Sequence, residues 1–170
     1  VPPLLALVRH AIDRRDLRRA ALLLDRATPI ADRSSSFALT HAVQLASVQT
    51  LIALGQEDRA TEAAERAVKD AEERLGPSHP ALVDGLLVLG LLESKRGKAG
   101  GVERFARAEL LARRALGEQS PQLGVIAMGH GLALFQLGRG REAEPHLARA
   151  EQALARSPSR AFERSLVGAV

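Results

Sequence analysis

Four segments of this chain align on two alanines seven residues apart: Ala20/Ala27, Ala60/Ala67, Ala108/Ala115 and Ala143/Ala150. Seven residues is close to two turns of an α-helix, so each pair marks one helix face. The positions between them are Leu23/Leu24, Ala63/Ala64, Leu111/Ala112 and His146/Leu147, apolar except for His146. Small side chains that return on one helical stripe, unit after unit, specify closely packed helices and leave no alternating pattern for strands. The fullest unit is the last. A helix opening at Pro121 leads to a turn at Gly138, and Ala143, His146, Leu147, Ala150 and Leu154 then share one face.

The punctuation repeats as well. Gly55 and Gly138 stand five residues before the first alanine of their units, and Arg15 holds that place in the first. In the third unit Gly97 lies eleven residues before Ala108, which reads as an insertion of about six residues around Gly97–Gly101. Measured on the first alanines, the units are 40, 48 and 35 residues apart. Val8, Val48, Gly90 and Gly131, seven before the turn residues, are small or β-branched and allow two helix backbones to approach. Leu75-Gly76-Pro77-Ser78-His79-Pro80 recurs as an L-G-x-x-x-P pattern at Leu116 to Pro121, with a glycine to end one helix and a proline to start the next. Helices are expected over about 3–13, 16–27, 36–54, 58–74, 80–96 and 102–116, followed by the final pair. Pro29 and the run from Asp32 to Ser36 break the pattern after the second helix. On the fourth helix Glu62/Arg66 and Glu65/Lys69 form favourable i,i+4 pairs.

Composition supports an all-α core made of Leu, Ala and Val. The 170 residues are 46% hydrophobic but only 2% aromatic, and β-branched residues are sparse. With no cysteine there is neither a disulfide framework nor a thiolate metal site. No apolar run reaches the roughly 18 residues of a membrane span without charges. The net charge of +4 is carried mostly by arginines interleaved with acids, and only Arg14, Arg15, Arg18 and Arg19 cluster. Single-strand binders add stacking aromatics to such a patch, and this chain has no Trp or Tyr. Solvated helix faces are therefore the preferred reading over nucleic-acid contact. A chain that begins at Val1 reads as a piece of a longer protein, or as one with a processed terminus.

The motifs LGPSHP at 75–80, GQEDRATEAAERAV at 55–68 and GRGREAEPHLARAEQAL at 138–154 resemble the tetratricopeptide repeat, in the longer variety of about 42 residues found in kinesin light chains and many bacterial signalling proteins. Pro145 fits that pattern because it falls in the first helical turn, where no intrahelical bond is lost. The large aromatic that the family often carries on its first helix is absent; Leu51, Glu93 and Leu134 stand there. The resemblance implies an α-α superhelix of about four antiparallel helix pairs in a single domain over 1–170. Its repeats would be near 1–33, 34–76, 77–117 and 118–157, with a short capping helix in 158–170.

It further implies a concave groove lined by Leu45, Gln49 and Ile52, by Asp84, Leu87, Leu91 and Lys95, and by Val125, Met128, Leu132 and Phe135. That lining is apolar. The chain has no asparagine, so it lacks the side chains with which many relatives clamp a peptide backbone, and the basic carboxylate clamp of chaperone-binding relatives is not filled. A hydrophobic or amphipathic helix is the ligand it suits.

The search for catalytic groups and metal ligands yields none. No histidine among His10, His41, His79, His130 and His146 has a His or Cys four residues on. His79 reads as a turn residue, and His130 and His146 as partly buried helix residues. Ser34, Ser35 and Ser36 read as helix caps, and Gly97, Gly100 and Gly101 lack the strand and the ending of a phosphate loop. The expectation is a non-enzymatic, cofactor-free, cytoplasmic module that binds a protein or peptide. The alternative is a regulatory or sensor segment contacting its own parent chain, such as a bacterial serine/threonine kinase or a transcription regulator.

Overall fold

The computed structural model describes residues 2–118 and 120–156. They form eight helices: α1 (Pro2–Asp13), α2 (Leu17–Asp32), α3 (Phe37–Ala53), α4 (Glu57–Leu75), α5 (Leu82–Lys95), α6 (Gly100–Leu116), α7 (Pro121–Gln136) and α8 (Gly140–Arg156). No strand occurs among the described residues. The fold is all-α, built of helix pairs. The capping helix expected in 158–170 lies outside the described residues, as does the side chain of Leu154.

The tight turn within each pair is made by one residue in the left-handed backbone region: Arg15, Gly55, Gly97 and Gly138, with φ of 58°, 72°, 66° and 73°. These turns are 40, 42 and 41 residues apart. The third unit is therefore regular, which corrects the insertion inferred from its alanines. Gly100 and Gly101 already belong to α6. Its buried stripe runs Gly101, Phe105, Ala108, Ala112, in register with Ala60, Ala64, Ala67, Ala71 of α4, whereas Ala115 is exposed. The seven-residue pair of this unit is Gly101/Ala108. An alanine-rich helix offers several registers to a pattern search, and burial selects one.

Three smaller expectations also change. Pro145 lies inside α8, beyond its first turn. Helix α2 continues through Pro29 to Asp32, because Ala31 packs into the core and the last turn is supported by side chains: Thr28 Oγ1 donates to Leu24 O and Arg33 Nε to Pro29 O. The lost N–H of Pro29 falls near the helix end, where few bonds remain to break. On α4 the Glu62/Arg66 pair forms at 3.8 Å, but Lys69 sits 3.8 Å from Glu73. These are exposed pairs worth a few tenths of a kcal/mol (~0.3–0.5) whichever partner is chosen.

The chain divides into two compact units, residues 1–89 and 90–170, with the boundary inside α5. In the first unit α1 packs on α2 and α3, and α3 on α4. Its core includes Val8, Ala11, Ala20, Leu23, Leu24, Ala27, Ala31 and Val43. Helix α5 meets α4 where Gly85 faces Val68; a Cβ at Gly85 would lie 2.6 Å from the Val68 methyl.

In the second unit α6 packs on α7 and α7 on α8. Phe105 of α6, 1% exposed, fills the space that glycines leave on either side: a Cβ at Gly90 would lie 3.1 Å from its ring and one at Gly129 would lie 2.5 Å from it. The aromatic missing from the first helices is supplied here from a second helix. Gly131 admits Leu147, and Gly124 admits Ala153, so α7 and α8 approach along two points one heptad apart. Val8, Val48, Gly90 and Gly131 are all buried, in keeping with their reading as close-approach positions.

Arg15 is the one non-glycine with positive φ among the described residues. A side chain in that region costs about 1–2 kcal/mol, partly offset by the greater freedom glycine would have when unfolded. Arg15→Gly is expected to raise unfolding stability by about 0.5–1 kcal/mol, read as a higher urea midpoint with unchanged slope. A lower midpoint would mean that the exposed arginine makes a contact stronger than this strain.

Candidate functional site

Two features of the surface and interior stand out, one apolar and one charged. The eleven residues expected to line a groove fall on three helices at helical spacing. On α3, Leu45 and Ile52 are half-buried and Gln49 is exposed; on α5, Leu87 and Leu91 are half-buried and Asp84 and Lys95 exposed. On α7, Val125 and Met128 are half-buried, and Leu132 and Phe135 are 45% and 65% exposed. None belongs to the core, which takes the opposite positions of the same helices: Val48 and Thr50 on α3, Leu86, Leu89 and Leu92 on α5, Ile126, Ala127 and Leu134 on α7. On α7 this stripe leaves Leu132 and Phe135 open to water, whereas on α3 and α5 its apolar members are partly covered. A phenyl ring two-thirds open to water is unfavourable by the transfer free energy of the area it leaves wet, at roughly 25 cal/mol per Å².

The charged feature was not anticipated. Glu109 of α6, 5% exposed, stands one residue from Ala108 on the buried side of its helix. His130 Nδ1–H of α7 donates to its Oε2 at 3.1 Å. On the other oxygen, Arg113 Nη2 donates to Oε1 at 3.0 Å, and Arg149 Nη1 of α8 donates to the same atom. His146 of α8 brings its Nδ1 to 3.2 Å from Oε2, but without the alignment of a hydrogen bond, and that buried nitrogen has no other partner. The two imidazoles lie face to face at 3.9 Å between centroids and 42° between planes, and Phe105 stacks on His130 from 6.5 Å. Arg113 is shared with Glu118, 3.1 Å from its Nε.

The electrostatics follow from this geometry. Burial alone would raise the pKa of the Glu109 carboxyl. The hydrogen bond from His130, with the positive charges of His146, Arg149 and His130, outweighs burial and holds it below the ordinary carboxylate value. Burial, then the neighbouring His130, pushes His146 below the ordinary imidazole value, against the pull of Glu109.

His130 and His146 are helix residues as expected, but they are brought together with an acid 21 residues away from the first of them in sequence. A search for ligands four apart on one helix could not find a cluster built from three helices. The available signal was a polar residue on the buried stripe of each of α6, α7 and α8. The other histidines are separate. His79 Nδ1 accepts the Ala81 N–H at 3.1 Å within its turn, and His41 places Nε2 3.1 Å from Ala81 O while stacking on Phe37. His10 is exposed on α1.

The helix pairs define a helical-repeat protein. No family model matches the chain, and no curated protein is similar to it in sequence. Among solved structures it is similar to that of BtubC (BKLC) from P. vanneervenii, at 17% identity and a TM-score of 0.62 over 92% of this chain and 83% of that one. At such identity the likeness carries the fold and nothing further. No helix of the described residues is long and apolar enough to cross a membrane.

Proposed function

We propose that this chain is a non-catalytic interaction module of the tetratricopeptide type, one domain of four helix pairs, acting in the cytoplasm within a bacterial signalling protein. It holds an amphipathic helix or extended peptide of a partner protein against the apolar stripe of α7. The observation that carries this reading is the pair Leu132 and Phe135, exposed on α7 while the opposite side of that helix is core. Large apolar side chains one turn apart on a rigid helix are the form of anchor that a helical ligand's own apolar face covers. The chemistry of the stripe selects the ligand: Leu, Val, Met and Phe with few charges favour an apolar or amphipathic segment over an acidic tail.

The test is a pull-down from the source lysate with the parent chain and a Leu132→Arg/Phe135→Arg variant, followed by titration of the captured partner's segments. Two buried cations in place of two anchors should weaken binding by a hundredfold or more, at about 2 kcal/mol or more per lost anchor, with far-ultraviolet helicity unchanged. Unchanged affinity would move binding to another surface. Loss of helicity would show that these side chains support the fold instead.

A further inference from the structure

We propose that Glu109, His130 and His146 form a binding site for a divalent transition-metal ion of the zinc type. The three residues come from α6, α7 and α8, and their ligand atoms lie within 4.8 Å of one another. Oε2 of Glu109 is 3.1 Å from Nδ1 of His130 and 3.2 Å from Nδ1 of His146. A tetrahedral ion with bonds of about 2.0–2.1 Å to nitrogen and oxygen sets its ligand atoms about 3.3 Å apart. The two edges are thus already near the length that coordination requires.

The unpaired nitrogen points the same way. Oε2 accepts a hydrogen bond from His130 Nδ1–H, and His146 Nδ1 faces that same oxygen without a hydrogen bond to it. If it is unprotonated, a lone pair faces a carboxylate oxygen inside the protein, and the pair repels. A cation between the three atoms takes the place of the His130 Nδ1 hydrogen, the ring then carrying its proton on Nε2, and uses the lone pairs of both Nδ1 atoms and of Oε2 together.

The surroundings fit a coordinated carboxylate. Arg113 and Arg149 both occupy Oε1, which orients the group and leaves Oε2 as a single ligand, the arrangement by which outer partners aim a metal ligand. Two imidazoles with one carboxylate suit zinc, cobalt or nickel, and a site for magnesium or calcium would be built of oxygens. The guanidinium charges oppose a dication, so affinity is expected on the order of micromolar instead of nanomolar. His146 is 21% exposed at its side chain, which gives an entry route and leaves the fourth position to water. A bound ion would join α6, α7 and α8.

The experiment uses the full chain stripped with chelator and titrated with Co2+, then with Zn2+. The expected results are visible bands of tetrahedral intensity, displaced by Zn2+, and a melting temperature raised by roughly 5–10 °C at about a hundredfold excess over the dissociation constant. Mg2+ should produce no shift. His146→Ala, at a half-buried position, should lose the bands and weaken binding roughly a hundredfold, and His146→Gln should do the same with its hydrogen-bonding capacity retained. The control His10→Ala/His79→Ala should bind as the parent does. Absence of bands and of a zinc shift in the parent chain overturns the proposal and leaves a hydrogen-bonded ion network. An equal response in His146→Ala overturns it too, by placing the ion elsewhere.

Discussion

Gly101→Val is expected to lower the melting temperature by roughly 10 °C or more, a loss of about 3–5 kcal/mol. Gly101 lies on the buried stripe of α6, where α5 crosses it. A Cβ there would overlap Ser94 Oγ and would lie 2.8 Å from Gly90 O and 3.0 Å from Ser94 N. The last two are backbone atoms of a neighbouring helix and cannot turn aside as a flexible side chain does. The helices would have to separate, and Phe105, seated between Gly90 and Gly129, would lose its packing with them. The comparison is Gly140→Ala at the start of α8, where an added Cβ meets nothing within 4 Å; it should change stability by no more than ~0.5 kcal/mol. Equal midpoints for the two variants in denaturant would show that the α5/α6 contact is looser than these distances require.

Glu109→Ala should destabilise the fold by roughly 2–3 kcal/mol. It leaves the buried His130 Nδ1–H and the two arginines without their acceptor. Breaking a fully buried ion pair from one side costs about 3–5 kcal/mol; here the guanidinium side chains are 36% and 37% exposed, so water replaces part of what is lost. A double-mutant cycle with Arg149→Met isolates the pair, with an expected coupling of about 1–2 kcal/mol. Coupling near zero would mean that Arg149 is held by solvent and not by the acid.

The pH dependence has a definite sign. The Glu109 carboxyl is held below its ordinary pKa, so its contribution is complete above the unfolded carboxylate value of about 4.3 and is lost as pH falls through the lower folded value. His146 is also lowered, so protonation favours the unfolded chain, and stability declines as pH falls below the unfolded imidazole value of about 6.5. Both effects weaken the native state on acidification. The Glu109→Ala variant should lack the carboxylate part of that decline.

Much of this was legible in the residues. The seven-residue alanine pairs, the turn glycines and the L-G-x-x-x-P punctuation describe local geometry: a helical face, a left-handed turn, a helix start. Local geometry is set by neighbours in sequence, which is why Gly55 and Gly138, and even Arg15 in their place, adopt positive φ where the pattern puts the turn. The register of α6 was less accessible. Ala108, Ala112 and Ala115 offer more than one seven- or four-residue alignment, and only packing against Gly90 and Ser94 selects Gly101 as the close-approach point. Pro29 likewise reads as a breaker in isolation, but burial of Ala31 carries the helix past it.

The chain by itself therefore determined an all-α repeat and the positions of its turns. Only the tertiary structure decided that Glu109, His130 and His146 meet with Arg113 and Arg149. Hydrophobic periodicity reports which face of a helix is buried, whereas a polar cluster depends on which buried faces oppose one another. His130 stands 21 residues from Glu109 in the chain, and Arg149 stands 40 residues from it. Those separations carry no signal until α6, α7 and α8 have packed.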